Sequence, residues 1–366
     1  MKIGVPTEVK NNEFRVGLTP ESAAELIALG HDVMVQSGAG LGIGAEDALY
    51  RSVGAQILPD AAQVFAQSEM IVKVKEPQAP ERAMLRPNHL LFTYLHLAPD
   101  AAQTRDLVAS KAVCIAYETV TDHQGTLPLL RPMSQVAGRL SIQAGAATLQ
   151  KSSGGRGVLL GGVPGVAPGK IVVIGGGVVG FHAAQMAVGM QAEVTIFDRN
   201  PHRIDELSAY FGPSARSLYA TNARISEYVT QADLVVGAVL VPGASAPKLV
   251  SAQMVKAMKP GAVIVDVAID QGGCVETAHA TTHADPTYVV DDVVHYCVAN
   301  MPGAVPRTST YALNNATLPF VIALANKGWR EATANDPHLY DGVNVWDGKV
   351  GCKAVADALD YEYQPA

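Results

Sequence analysis

Five polar or charged side chains stand near the ends of predicted apolar strands or in a loop that follows one. His96 lies near the end of LLFTYLHL, Lys75 closes EMIVKVK, Glu118 ends AVCIAYE, Asp270 follows AVIVDVAI, and Arg15 lies in NNEFRVGLTP. Open α/β sheets bind ligands outside the carboxyl ends of their strands, where an imidazole can exchange protons near neutral pH. Each residue alone could be a surface charge, and His96 a hydrogen-bonded core histidine. Their shared position instead indicates acid–base chemistry in a cleft.

A glycine motif in KIVVIGGGVVG, residues 170–180, indicates a second kind of chemistry. A β-branched strand precedes it and a helix of small residues follows it, the context that makes G-x-G-x-x-G informative. Gly175 permits the tight turn, Gly177 lets the backbone approach a pyrophosphate, and Gly180 allows the helix to pack on the strand. The amides at the helix N-terminus then face the phosphates. This arrangement predicts dinucleotide binding, against the simpler interpretation of a glycine-rich turn without a ligand.

Asp198, eighteen residues after Gly180, ends the strand AEVTIFD. Its carboxylate can accept hydrogen bonds from both ribose hydroxyls of an adenosine and would repel a 2′-phosphate, so NAD is predicted rather than NADP. Arg199 and Arg203 keep NADP open, because an arginine close to this acid could meet a 2′-phosphate. Arg203 could equally contact the adenosine end of NAD.

Strand-like and helix-like segments alternate on both sides of the glycine motif. KIGVP, the helix TPESAAELIALG with Thr19 as N-cap and Pro20 in its first turn, and HDVMVQ form a βαβ unit. Further alternation follows to about residue 130, a long helix is predicted over much of 131–151, and a second series begins at Lys170. The sequence therefore predicts two α/β domains, both Rossmann-like and doubly wound.

A chain of 366 residues suits two domains with a cleft. After about residue 306, RTSTYALNNATLPFVIALANKG predicts an apolar helix and NVWDGKV a short hairpin, both outside the second series. We expect this tail to rejoin the first domain. The predicted boundaries are a discontinuous substrate domain, 1–128 with 307–366, and an inserted nucleotide-binding domain, 129–306.

Composition and charge exclude several classes of protein. The chain is 48% hydrophobic and carries a net charge of −7, so no basic footprint for nucleic acid is expected. Its start lacks the apolar core of a signal peptide, which favours a cytoplasmic location. The apolar stretch 158–180 contains Lys170 and many glycines and prolines, and this favours a loop and a core strand over a membrane span.

The cysteines and histidines give weaker indications. Cys114, Cys274, Cys297 and Cys352 are scattered without a C-x-x-C pair, as is typical of reduced thiols. A metal pattern formed by Cys274, Glu276, His279 and His283 would require AHATTHAD to be helical. Its threonines and the following Asp-Pro predict a loop, so no metal is expected.

Several longer motifs are spread over essentially the whole length of the chain. They are GVPTEVKNNEFRVGLTP, VKVKEP, YLHLA, AYETV, PLLRPMSQVAGRLSIQAGA, GGVPGV, VVIGGGVVG, DQGG and ANMPGAVPRTST. Together they closely resemble alanine dehydrogenase. The resemblance implies a substrate domain built from both chain ends, an inserted Rossmann domain and an active site between them. It also implies reversible, NAD-dependent oxidative deamination of L-alanine to pyruvate and ammonium, by a homo-oligomer that is expected to be a hexamer.

The resemblance also implies roles for individual residues. Arg15 and Lys75 would bind the carboxylate and keto oxygen of the substrate, and His96 and Asp270 would carry the proton chemistry. Besides the glycines, Asp198 and Arg203, the implied cofactor contacts are Ser134, Val178, Val179, Val239, Leu240, Val267, Ile269, Asp270, Val298, Asn300 and Met301.

Three other interpretations stay open from the sequence. The NAD(H)-binding component of proton-translocating transhydrogenase resembles the same template, but YLHLA and the segment from AYETV to PMSQ favour the dehydrogenase. A related dehydrogenase acting on lysine or a lysine adduct would need a larger pocket. An NAD-sensing regulator without catalysis would leave the polar residues at the strand ends unexplained.

Overall fold

The computed structural model describes residues 1–239 and 246–366. Within them the chain divides into two units, the first made of 1–133 with 305–366 and the second of 134–304. Each unit is an α/β structure around its own sheet. The predicted domain boundaries at 128/129 and 306/307 stay a prediction.

The strands are short and alternate with helices along the chain. They are β1 Lys2–Val5, β2 Asp32–Gln36, β3 Gln56–Leu58, β4 Met70–Val72, β5 Leu90–Thr93, β6 Val113–Ala116, β7 Lys170–Ile174, β8 Glu193–Asp198, β9 Ala215–Tyr219, β10 Leu234–Gly237, β11 Val263–Asp266, β12 Thr287–Val290, β13 Val293–Tyr296, β14 Val343–Trp346 and β15 Lys349–Val350.

The helices lie between them. They are α1 Pro20–Ala28, α2 Asp47–Ser52, α3 Ala61–Gln67, α4 Ala79–Arg82, α5 Ala101–Ser110, α6 Arg131–Thr148, α7 Val178–Gly189, α8 Pro201–Phe211, α9 Asn222–Gln231, α10 Ala252–Lys256, α11 Pro306–Asn335, α12 Pro337–Tyr340 and α13 Lys353–Leu359. Gly328, with φ 74°, interrupts the helical geometry inside α11.

The sheet of the first unit has the order β15-β14-β6-β5-β4-β1-β2-β3. Strands β1 to β6 are parallel, whereas β14 runs antiparallel to β6 and β15 antiparallel to β14. The C-terminal hairpin, which the sequence predicted, thus extends the sheet begun by the N-terminal strands. The first unit is therefore built from both ends of the chain.

The second sheet has the order β12-β13-β11-β10-β7-β8-β9. Only β12 is antiparallel to its neighbour. In both sheets the central strands β4, β5, β6, β10 and β11 are buried at every residue. Parallel strands covered on both faces need such continuous apolar sequences, so the prediction of two doubly wound α/β units is confirmed.

Local sequence chemistry sets the helix starts as predicted. Thr19 is the N-cap of α1 and its side chain accepts a hydrogen bond from the amide of Ser22, while Pro20 occupies the first helical position. The long helix predicted over 131–151 is α6. No helix in the described ranges is both long enough and apolar enough to cross a membrane.

Candidate active site

Three of the predicted site residues lie beyond the carboxyl ends of neighbouring strands in the first sheet. Strands β4, β5 and β6 are parallel neighbours and end at Val72, Thr93 and Ala116, earlier than the apolar letters suggested. Lys75, His96 and Glu118 therefore lie in the segments just beyond these carboxyl ends. The fold places them where open parallel sheets bind ligands.

His96 is not a core histidine. Its side chain is 46% exposed and its backbone is left-handed, with φ 50°. The imidazole stacks on the ring of Tyr94, with centroids 5.8 Å apart and planes 12° from parallel. The Tyr94 hydroxyl is itself buried and donates to the carbonyl oxygen of Leu129 at 2.6 Å. A fixed aromatic surface thus lies beside an imidazole that solvent and small molecules can reach.

Arg15 is buried against a carboxylate that sequence analysis missed. Its Nε and Nη2 donate to Oε1 and Oε2 of Glu13 at 2.6 and 2.5 Å, and Nη1 donates to Sδ of Met133 at 3.1 Å. Burial disfavours the cation, but hydrogen bonds and charge from Glu13 outweigh it and raise the pKa of the guanidinium. The group remains positive at any working pH, as an anion-binding residue must. Two acidic residues in EVKNNEFR were the available sequence signal.

The loop that carries Arg15 lies against the end of β4. A Cβ at Gly17 would come within 2.3 Å of the carbonyl oxygen of Val72. No larger residue fits there without displacing backbone. Glycine at this position therefore lets the Arg15 loop approach the segment that carries Lys75.

A buried cluster of charged side chains, which the sequence analysis did not predict, contacts the backbone at Lys75. Lys73 is fully buried, and its Nζ is 3.1 Å from Oε2 of Glu8 and 2.6 Å from Oε1 of Glu81. Burial would lower the pKa of this lysine, but the two carboxylates outweigh burial and raise it. Glu8 also accepts from the backbone amides of Val74 and Lys75, at 2.6 and 3.3 Å. The cluster fixes the backbone from which Lys75 extends.

Lys75 itself is mostly covered and has a carboxylate neighbour. Its Nζ lies 3.5 Å from Oε2 of Glu76, and 13% of its side chain is exposed. Glu76 is also paired with Lys10. Although burial would raise the pKa of Glu76, these two ammonium groups lower it. The carboxylate therefore stays ionised beside Nζ of Lys75.

In the second unit the three motif glycines occupy different environments. A Cβ at Gly180 would lie 1.7 Å from the carbonyl oxygen of Gly175, and a Cβ at Gly175, where φ is 101°, would lie 2.6 Å from that of Ala238. These two glycines are needed for close packing and for the turn. Gly177 is the N-cap of α7, and a Cβ there would meet nothing within 4 Å. This open space above the helix N-terminus fits the pyrophosphate of a dinucleotide.

Asp198 and Arg203 border that loop. Oδ2 of Asp198 accepts from the amide of Gly176 at 2.7 Å, and Oδ1 accepts from the amide of Asn200 at 2.8 Å. Arg203 donates from Nε to the carbonyl oxygen of Gly176 at 2.6 Å and pairs through Nη1 with Glu206 at 2.5 Å. The guanidinium thus has a carboxylate partner, which makes it a poorer receptor for a 2′-phosphate.

Asp270 lies in a 3₁₀ turn, Val267–Gln271, directly after β11. Its side chain is exposed, and Ile269 next to it is buried. Asp266, at the end of β11, is fully buried and accepts from the amides of Ala268 and Val275, both at 3.1 Å. Asp266 therefore holds the turn by hydrogen bonds, and Asp270 is exposed to solvent. The sequence did not show that the two aspartates have these different roles.

The other predicted cofactor contacts lie on several elements of the second unit. Val178 and Val179 begin α7, Val267 begins the 3₁₀ turn, Ser134 is half-buried on α6, and Val239 follows β10. Val298 and Met301 are buried, and Asn300 is left-handed with φ 61°. Leu240 lies outside the described residues. These assignments remain predictions.

The candidate metal ligands His279, His283 and Cys274 contact separate partners. His279 stacks on Tyr288 with centroids 3.7 Å apart, Nε2 of His283 lies 3.1 Å from the carbonyl oxygen of Asn300, and Cys274 contacts Asp266. The segment is irregular, as predicted. Among the residues the structure describes, no group of three or more His, Cys, Asp or Glu side chains is placed to hold a metal ion.

Family models match nearly the whole chain. The model described as "Alanine dehydrogenase/PNT, N-terminal domain" matches residues 4–137, and that described as "Alanine dehydrogenase/PNT, C-terminal domain" matches residues 141–353. The chain belongs to the alanine dehydrogenase/PNT family. The resemblance noted from the sequence motifs is thereby confirmed.

Curated members of the alanine dehydrogenase/PNT family align along their full lengths. The chain is 57% identical to an alanine dehydrogenase of Halomonas elongata and 53% identical to one of Mycolicibacterium smegmatis, covering 100% of this chain and 99% of each relative. An alanine dehydrogenase of Methanococcus maripaludis is 53% identical, over 100% of this chain and 98% of that protein.

Solved structures separate the two branches of the family. An L-alanine dehydrogenase superposes with a TM-score of 0.96 at 53% identity, covering 98% of this chain and 99% of that one. A transhydrogenase from Sinorhizobium meliloti superposes with a TM-score of 0.83 at 25% identity, covering 97% and 100%. Both sequence and structure therefore favour the alanine dehydrogenase branch.

Proposed function

We propose that this protein is an NAD-dependent oxidoreductase that interconverts L-alanine and water with pyruvate and ammonium, reducing NAD⁺ to NADH in the deaminating direction. The observation that carries the proposal is the placement of Lys75 and His96 beyond adjacent strand ends, next to the loop of Arg15, in a chain that aligns end to end with curated alanine dehydrogenases. The transhydrogenase branch is less similar in both sequence and structure.

Arg15 and Lys75 are assigned to the substrate. Arg15 is a permanent cation, and its planar guanidinium suits the substrate carboxylate. Lys75 is an ammonium group held by Glu76, and it would stabilise the keto oxygen as that atom gains negative charge.

His96 and Asp270 are assigned to the proton transfers. After the hydride leaves Cα, water adds to the substrate iminium and ammonia departs from a carbinolamine, and each step moves a proton. The imidazole of His96 is accessible and can give and take protons at its ring nitrogens. Asp270 offers an exposed carboxylate from the turn after β11.

NAD is assigned to the second unit. The open space at Gly177, the N-terminal amides of α7 and the carboxylate of Asp198 fit the pyrophosphate and the adenosine ribose. When bound, NAD⁺ accepts the hydride at C4 of its nicotinamide. We also assign to NAD the contacts of Ser134, Val178, Val179, Arg203, Val239, Leu240, Val267, Ile269, Asp270, Val298, Asn300 and Met301.

Three further properties belong to this proposal. We place the enzyme in the cytoplasm, as a homo-oligomer of six chains, with a catalytic domain of 1–128 and 307–366 and an NAD-binding domain of 129–306. Its partners are small molecules and copies of itself, and nucleic acid is not among them, since the net charge is −7. Light scattering of the purified protein tests the oligomer directly.

The deciding experiment is to follow NADH absorbance with purified protein, NAD⁺ and a panel of amino acids that includes L-alanine, D-alanine and L-lysine. We expect turnover of L-alanine with NAD⁺ and much weaker turnover with NADP⁺ in a parallel assay. Preferred turnover of L-lysine would identify lysine, instead of alanine, as the substrate. Tight NADH binding without turnover of any amino acid would overturn the enzymatic assignment in favour of a nucleotide-binding module.

A further inference from the structure

The turn that carries His96 is held from two sides by side chains of neighbouring elements. The carboxylate of Glu118, which follows β6, accepts from the amide of Leu95 at 3.1 and 3.2 Å and from the amide of His96 at 2.5 Å. On the other side, Nε2 of Gln103 on α5 donates to the carbonyl oxygen of Leu95 at 2.5 Å. The backbone at 95–96 is therefore fixed by hydrogen bonds that come from two other segments of the unit.

These contacts bear on the backbone conformation of His96. Its φ of 50° lies in the left-handed region, which non-glycine residues seldom adopt without a specific stabilising contact. Two successive amides that converge on one carboxylate are such a contact, because an anion favours N–H groups directed to a common point. Glu118 thus stabilises the backbone geometry that leaves the His96 ring exposed instead of packed in the core.

The same carboxylate also faces the imidazole. Nδ1 of His96 is 4.0 Å from Oε1 of Glu118, the oxygen that accepts the His96 amide. Tyr94 covers one ring face at a centroid distance of 5.8 Å. The Tyr94 hydroxyl donates to the carbonyl oxygen of Leu129, so Tyr94 meets His96 through its ring.

We propose that Glu118 is a positioning residue for the reaction, which acts through the turn and ring of His96 and does not touch the substrate. This inference rests on the proposed function, in which His96 carries proton transfers. Small displacements of a catalytic group are costly, on the order of 10²-fold for about 1 Å. Loss of the carboxylate is therefore expected to lower kcat by about 10-fold to 10²-fold, with a smaller change in the KM for L-alanine, because Arg15 and Lys75 are held by other partners.

The test is a double-mutant cycle of His96→Ala and Glu118→Ala, measured as kcat in the intact enzyme. If Glu118 acts through His96, Glu118→Ala slows the wild type but has no further effect in the His96→Ala background. Glu118→Gln keeps one oxygen that can accept an amide, so it should recover part of the lost rate. Should Glu118→Ala fail to fold, Glu118→Gln enters the same cycle in its place.

Asp47→Ala is the matched control. Asp47 also accepts from a backbone amide, that of Gly38 at 2.8 Å, but it lies on α2, which follows β2 at the opposite side of the sheet. We expect it to leave kcat unchanged. A Glu118→Ala enzyme with wild-type kcat, or an equal loss of rate with and without the imidazole, overturns the positioning role. Near-normal turnover of His96→Ala instead overturns the proposed function of His96 itself, so the two failures can be told apart.

Discussion

The two units use similar sheets but prepare their sites by different physical means. In the first unit, the edge beyond β4 and β5 is organised by paired charges, such as Arg15 with Glu13 and Lys73 with Glu8. In the second, the loop after β7 is organised by backbone geometry, with glycines that admit close carbonyl contacts and one aspartate that accepts from amides. A small charged substrate and a long dinucleotide explain the difference, since the former is bound by a few charges and the latter by an extended backbone surface.

This contrast predicts that the first unit is sensitive to the removal of charge and the second to the addition of atoms.

Replacing the proton-transfer groups should give the greatest loss of activity. His96→Ala and Asp270→Asn are each expected to lower kcat by roughly 10² to 10⁴, the range for a lost general acid or base. Both side chains are exposed, so both variants should fold, and His96→Ala should also keep NADH binding. Steady-state kinetics measures kcat of each variant, and NADH fluorescence titration measures its affinity for NADH. A variant that turns over at nearly the wild-type rate would remove that residue from the mechanism.

Breaking the buried pair of Glu13 and Arg15 should affect stability most. Both side chains are at most 2% exposed, and leaving one charge of such a pair buried without its partner typically costs about 3–5 kcal/mol. Glu13→Gln should therefore lower the free energy of unfolding in urea and raise the KM for L-alanine. Glu206→Gln is the control, because Glu206 is 64% exposed in its pair with Arg203. Equal stabilities of the two variants would contradict the importance of buried charge in the first unit.

Adding a methyl group should separate two glycines of the second unit. Gly180→Ala forces a Cβ to within 1.7 Å of a carbonyl oxygen, and such overpacking typically costs about 1–3 kcal/mol. Gly177→Ala meets no atom within 4 Å, so thermal stability should be unchanged while NADH binding weakens, by about tenfold or 1.4 kcal/mol. Calorimetry and NADH titration distinguish the two. If Gly177→Ala binds NADH normally, the pyrophosphate does not approach this position.

The cores of the two units should behave alike. Burial raises the pKa of Cys114 in the first unit and of Cys297 in the second to about 12. Both should remain neutral thiols and resist a thiol reagent at mildly alkaline pH, while the half-buried Cys352 reacts first. Because the folded state favours the protonated thiols, their contribution to stability is complete below the unfolded thiol pKa of about 8.5 and falls as pH rises towards 12.

Mass spectrometry of the labelled protein, in buffer and in urea, locates the modified cysteines. Rapid native labelling of Cys114 alone would show that the first core opens more readily than the second, and the contrast between the units would then extend from the sheet edges into the interior.

Local patterns sufficed for much of the fold. The cap at Thr19, the glycine spacing after β7 and the alternation of apolar segments concern residues near one another in sequence. The contacts that build the site of the first unit instead join residues that are far apart in sequence. Glu8 and Lys73 are 65 positions apart, so no local pattern could show that this lysine is buried within a triad. The left-handed turn at His96 likewise depends on Glu118, which belongs to a different strand connection.

The pairing of β6 with β14, a strand from the C-terminal part of the chain, has a consequence for biosynthesis. Strand β6 is made early, but its antiparallel neighbour β14 begins only at Val343, after the second unit has been translated. Residues 134–304 form an uninterrupted segment, so they can fold on the ribosome as soon as they emerge, whereas one edge of β6 must wait for the last part of the chain. An exposed strand edge can pair with other chains, so the nascent protein has a period of vulnerability to aggregation that ends only near termination.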